Sequence, residues 1–223
     1  NTSTPTHRGS SVIGRNDNPA GQPPNLRPVF RNVYMDQGPE GHFGMELFES
    51  PGMIIEGGEY RGGEVLISPG RSHGLKVRNA KLHLGGRTHS AIEVALINDV
   101  EISGNIVDGP GSLAWVTNYS ERTNVHHNYV NGLYTIVNAE QRAGYEGKDH
   151  RDTDNCMTNT QYEWRGLIGS GTIIARNGPC STTVPTSSPT PTTTAFTPTP
   201  TPTATSQACD VNAVGVNKFA GCL

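Results

Sequence analysis

The chain is poor in what usually builds a globular core or a charged interface. Hydrophobic residues make up 33% and aromatics 6% of its 223 residues, against roughly 45–50% apolar in ordinary domains on a count that includes glycine. No apolar run approaches the ~20 residues needed to cross a bilayer, so no membrane span is expected. Lys and Arg number 17 against 20 Asp and Glu, for a net charge of −3. Without a clustered basic excess, no nucleic-acid partner is expected. The four cysteines form no C-x-x-C pair, which argues against zinc-ribbon and thioredoxin chemistry. The chain begins at Asn1 rather than Met, as after removal of a leader or in a fragment.

The apolar deficit is uneven. Residues Ser181 to Gln207 hold 12 Thr, 6 Pro and 4 Ser among 27, with no charge, and cannot bury enough surface to offset their ordering entropy. This divides the chain into a polar segment 1–27, a folded domain 28–180, a Thr/Pro-rich linker 181–207 and a small C-terminal knob 208–223. The alternation Thr197 to Thr203 reads as an extended spacer or as a strand whose Thr edge pairs with a partner's sheet. The run Cys209 to Gly215 resembles the opening of a dockerin calcium loop, but Val214 stands where that pattern has an acid. Calcium binding is not expected there. Four cysteines allow three pairings, and neighbours in sequence favour Cys156 with Cys180 and Cys209 with Cys222. The first two are 24 residues apart. Disulfides point to a secreted protein.

Residues 28–180 carry a repeat. A short run of apolar–polar–apolar residues followed by a polar turn recurs around Phe30, Ile55, Val77, Ile102, Val125 and Ile174. Their separations are 25, 22, 25, 23 and 49 residues, the last close to twice the others. Two positions before each anchor stand Pro28, Met53, Leu75, Val100, Thr123 and Thr172. Five after stand Met35, Tyr60, Leu82, Val107, Val130 and Pro179. Both columns are mostly apolar, while the position after the anchor is mostly polar. This is the alternation of a strand with one buried face. Three residues after the anchor Asn105, Asn128 and Asn177 recur; Asn tolerates left-handed backbone and forms hydrogen-bonded ladders between stacked turns. Helical 3.6-residue periodicity is absent. A second strand precedes each anchor strand, as in Ile92 to Leu96. Coils of ~24 residues rising ~4.8 Å each give an all-β solenoid about 30 Å long. Glu56 with Arg78, and Lys76 with Glu101, are expected to pair between adjacent coils.

The run Asp99-Val100-Glu101-Ile102-Ser103-Gly104-Asn105 resembles the repeat of right-handed parallel β-helix proteins, the pectate-lyase-like superfold, over roughly residues 28–180. The resemblance implies a right-handed parallel β-helix with an extended C-terminal tail. It implies little about function, because such folds carry lyases, hydrolases, tailspikes, adhesins and surface proteins. Lyases of this superfold resemble one another in holding Ca²⁺ on clustered Asp with Arg or Lys as base. The corresponding candidates are Asp149, Arg151, Asp152 and Asp154, in what reads as a long loop inserted between Val137 and Thr172. The hydrolase motifs of the superfold are out of order or missing. Adjacent His126 and His127 should point to opposite faces of a strand, and no metal site or cofactor is expected apart from calcium under the lyase reading.

Outward aromatics commonly hold sugar rings, which makes Trp115, Tyr129 and Tyr34 candidates for glycan binding. Tyr129 and Tyr34 share a column. Asn118-Tyr119-Ser120 matches the N-glycosylation acceptor pattern. The leading expectation is a secreted, non-catalytic subunit of an extracellular or cell-surface assembly, filamentous in one version. It would associate with itself, its tail contacting a neighbouring copy. The alternatives are a polysaccharide lyase or glycoside hydrolase, and a non-catalytic glycan-binding module.

Overall fold

In a computed structural model, the described residues are 12–15 and 27–180, apart from 39, 40, 42, 87, 118, 141–143, 145 and 146. They form a parallel β-helix without an α-helix. Each coil contributes one strand to each of three seven-stranded sheets. The first sheet contains β1 (Val12–Arg15), β4 (Phe43–Phe48), β7 (Val65–Ser68), β10 (Ser90–Val94), β13 (Ser112–Thr117), β16 (Thr135–Glu140) and β19 (Tyr162–Gly166). The second contains β2 (Val29–Arg31), β5 (Ile54–Glu56), β8 (Lys76–Arg78), β11 (Glu101–Ser103), β14 (Asn124–His126), β17 (Arg151–Thr153) and β20 (Ile173–Ala175). The third contains β3 (Tyr34–Asp36), β6 (Glu59–Arg61), β9 (Lys81–His83), β12 (Ile106–Asp108), β15 (Tyr129–Asn131), β18 (Cys156–Thr158) and β21 (Gly178–Pro179). All pairings are parallel, and six intervals of ~4.8 Å put the first and last coils about 29 Å apart.

The register follows the repeat. Phe30, Ile55, Val77, Ile102 and Val125 stack in one column of the second sheet, and Ile174 ends it. Met35, Tyr60, Leu82, Val107, Val130 and Pro179 lie in one column of the third sheet, with Met157 before the last. From Ile55 to Val130 these side chains are buried and form one core with Met45, Ile67, Ile92 and Val137 of the first sheet. Burial of this kind stabilises by about 1.5–3 kcal/mol per large side chain.

The corner between the second and third sheets explains the short strands. Asn32, Gly57, Asn79, Gly104, His127, Asp154 and Arg176 occupy the same place in seven coils, all with φ between 51° and 66°. One left-handed residue turns the chain at each coil, and Gly or Asn fills that place in four of them at little steric cost. The recurrent asparagines stand one residue later and have another task. The Asn105 amide donates to the Val77 carbonyl (3.0 Å) and to Asn128 Oδ1 (2.9 Å). Asn128 donates likewise to Ile102 (2.9 Å) and to Asn155 (2.9 Å), and Asn155 to Val125 (3.1 Å) and Asn177 (3.1 Å). The ladder satisfies buried amides and couples neighbouring coils.

The expected ion pairs form: Glu56 lies 3.2 Å from Arg78 and Lys76 lies 3.0 Å from Glu101. Cys156 is bonded to Cys180, clipping the last two coils of the third sheet together. Residues 181–223, and with them Cys209, Cys222 and the Thr/Pro-rich tail, lie outside the described residues, as does Asn118.

Candidate functional sites

The inserted loop expected between Val137 and Thr172 is instead a regular coil. Its strand β17 pairs with β14 on one side and β20 on the other, which places Asp152 in the anchor column between Val125 and Ile174. His150, two positions earlier, is buried as well. With Asp and His at its two inward positions, the second-sheet stretch of this coil has no apolar signature; hence the 49-residue gap, which divides into 27 to Asp152 and 22 on to Ile174. Asn155 and Met157, in the ladder and the third-sheet column, were the legible trace of it.

The four acid-loop candidates therefore separate. Asp152 points inward and is fully buried, its Oδ1 accepting from Asn155 (2.7 Å) while Oδ2 has no partner. Burial, with the charge of Glu163 adding to it, pushes its carboxyl up to about 7. The His150 ring sits against Trp164, its Nδ1 accepting the Thr123 N–H (3.3 Å) and its Nε2 unpartnered. Burial pushes this imidazole down to about 4. Asp154 faces out and is bound by Arg176 (2.6 Å), which holds it below the usual carboxylate range. Asp149 and Arg151 are exposed beside Arg122 and Asn124, around a depression of about 450 Å³ on the second sheet. No cluster of three or more His, Cys, Asp or Glu able to hold a metal occurs among the described residues.

His126 and His127 do not diverge as an extended strand would require. The left-handed turn at His127 (φ 54°) brings its ring back beside His126, with the two Nδ1 atoms 2.8 Å apart. Burial, and then the neighbouring His127, hold His126 below the ordinary imidazole value.

The glycan candidates occupy two different sheets. Tyr34 and Tyr129 share a third-sheet column, as expected, but Glu59, Lys81 and Ile106 stand between them, so they lie about 19 Å apart along the axis. Trp115 is on the first sheet, between Glu93 and Asn138, its ring edge-on to His89 at 4.7 Å. Tyr134 and Tyr162 do meet, edge to face at 5.4 Å, with Arg165 over the Tyr134 ring.

A further concavity lies on the first sheet and was not anticipated. It encloses about 530 Å³ and is lined by Phe43, Glu46, Phe48, Ser68, Arg71 and Glu93 among others. Glu46, Ser68 and Glu93 come from successive strands at equivalent positions, and Ser68 donates to Glu93 (2.6 Å). Gly70 shapes the floor, since a Cβ there would collide with the Phe48 ring. Arg71 pairs with Glu49 across 3.5 Å. Trp115 follows Glu93 one coil further on. Period-2 alternation marks these positions as outward; nothing in the sequence shows that they surround a hollow. Comparison with family models, with characterised proteins and with solved structures finds no match for the chain.

Proposed function

We propose that this is a secreted, non-catalytic β-helix protein that binds glycan along its first sheet. The observation that carries the reading is the 530 Å³ groove, in which the Phe43 and Phe48 rings stand beside the Glu46, Ser68 and Glu93 oxygens. Apolar ring faces with a few fixed polar groups are the usual make-up of a small-ligand pocket, and they match the two faces and the hydroxyl rim of a pyranose. The rise of one coil is close to the length of one sugar unit, so successive strands can offer equivalent contacts to successive sugars. Three carboxylates and one guanidinium line the groove, which favours neutral or amino sugars over polyuronates. The Cys156–Cys180 disulfide supports an extracellular setting. The lyase reading draws little support from residues 149–154, since Asp152 faces the core.

The test is a polysaccharide panel of neutral, amino-sugar and uronate polymers, read by isothermal titration and by product release. Binding to a neutral or amino-sugar polymer, weakened at least tenfold by Phe48→Ala and by Glu93→Gln, is expected. Failure to bind any polymer, preference for uronates, or steady release of shortened or unsaturated sugars would overturn the reading.

A further inference from the structure

Both ends of the coil stack are sheet edges. β1, β2 and β3 lead their sheets, β19, β20 and β21 end theirs, and among the described residues no strand pairs with their outer edges. Unpaired parallel edges invite another strand, and solenoids ordinarily cover them with polar caps. Among the described residues, one outward column of the second sheet instead ends in an aliphatic side chain at each rim. The second sheet has two outward columns, and the one that opens with Arg31 is polar at the first rim. The other runs Val29, Ile54, Lys76, Glu101, Asn124, Arg151, Ile173. The column is polar through the middle of the rod, where each side chain has neighbours above and below. It is aliphatic at both ends, where Val29 is 43% and Ile173 45% exposed. Ile168, beside the last coil, is 59% exposed. A rod that stood alone in water would be better served by the opposite arrangement.

The third sheet is complementary in shape. Its outward column opens with Tyr34, 66% exposed, and closes with Gly178, which has no side chain.

From these columns we infer that the protein associates with a second copy of itself head to tail, the β19–β21 rim of one copy seating on the β1–β3 rim of the next. One more step of the same rise sets Ile173 on Val29, Ile174 on Phe30, Pro179 on Met35 and the Tyr34 ring over Gly178. Strand direction is preserved, so the parallel ladders continue from copy to copy. Rim-to-rim contact between like ends would reverse the strands and break the parallel ladders. Because the two rims differ, the contact is heterologous and does not close on itself: it propagates into a filament along the rod axis. This inference is independent of the glycan reading, since the groove lies on the flank and the contact at the ends.

The experiment uses the full chain in sedimentation velocity and negative-stain electron microscopy over a range of concentrations. A ladder of species lengthening along the rod axis is expected. Val29→Arg and Ile173→Arg should each weaken association at least tenfold, with circular dichroism and melting showing a folded chain. An equimolar mixture of the two variants should form dimers and nothing longer, because one intact rim of each kind remains. The V29E/I173R double variant puts opposite charges in the facing column and should recover association in a salt-sensitive way. Monomer at every concentration, oligomers indifferent to both variants, or a mixture that stays monomeric would each overturn the proposal.

Discussion

The middle of the rod and its last two coils share one backbone path but are held by different forces. From Ile55 to Val130 the inward columns of the second and third sheets are aliphatic apart from Tyr60 and Thr123 and essentially sealed from water. In the coil of β16–β18 the inward residues of the second sheet are His150 and Asp152, both buried, and in the coil of β19–β21 Ile174 and Trp164 are only partly buried. The winding nonetheless continues through the same left-handed corner and the same parallel register. A strand does not have to supply apolar inward residues once a well-packed neighbour offers its edge. Backbone pairing, the Asn128–Asn155–Asn177 ladder and the Cys156–Cys180 bond add to the apolar contacts of Val137, Met157 and Trp164 in the last two coils.

The sharpest test of that difference is truncation in the two regions. Ile102→Ala should cost roughly 2–5 kcal/mol in urea unfolding, as for any sealed core position. Ile174→Ala in the same column should cost about 1 kcal/mol, since its partial exposure lets water fill the gap. Equal losses would erase the distinction.

Next in size is the buried acid. Asp152 is raised from 3.8 to about 7 in the folded protein, so the folded state holds an extra proton between those values. Its contribution to stability is greatest below pH ~4, declines as pH rises to about 7 and is constant above, a loss of the order of 4 kcal/mol. His150, lowered from 6.5 to about 4, works the other way and removes stability as pH falls through that range. The two slopes oppose each other between pH ~4 and ~6.5. Asp152→Asn should therefore raise the melting temperature at pH 7.5, with the gain vanishing at pH 4. A gain of equal size at both values would show that ionisation is not its source.

Opening the disulfide with Cys156→Ser and Cys180→Ser should cost about 3 kcal/mol for a loop of this length. Its effect on proteolysis should be confined to residues near the last coils; accelerated cleavage near Ile102 would mean that the two regions unfold as one. The smallest effect is expected at the surface of the middle coils, where Lys76→Ala removes a half-exposed pair with Glu101 and should change stability by about 0.2–1 kcal/mol, less at high salt.

Most of the fold was legible because a wound sheet repeats its demands at a fixed interval. The anchors at Phe30, Ile55, Val77, Ile102 and Val125, the ladder asparagines and the pairing of Cys156 with Cys180 could all be aligned by eye. The coil around Asp152 could not, because its inward positions are polar and pattern reading equates inward with apolar. Nor could the turn at His127, since alternation along a strand says nothing about a left-handed residue at its end. The groove was hidden for another reason: Glu46, Ser68 and Glu93 look like ordinary outward positions, and only stacking shows what stands beside them.

The sequence by itself determined the winding, its register and the core of the middle coils, because each follows from spacing along one chain. Only the tertiary structure decided that Asp152 and His150 lie inside, that a hollow forms over Gly70, and that Val29 and Ile173 end one outward column at opposite rims. Those depend on which residues lie above and below one another, a relation that local pattern does not encode.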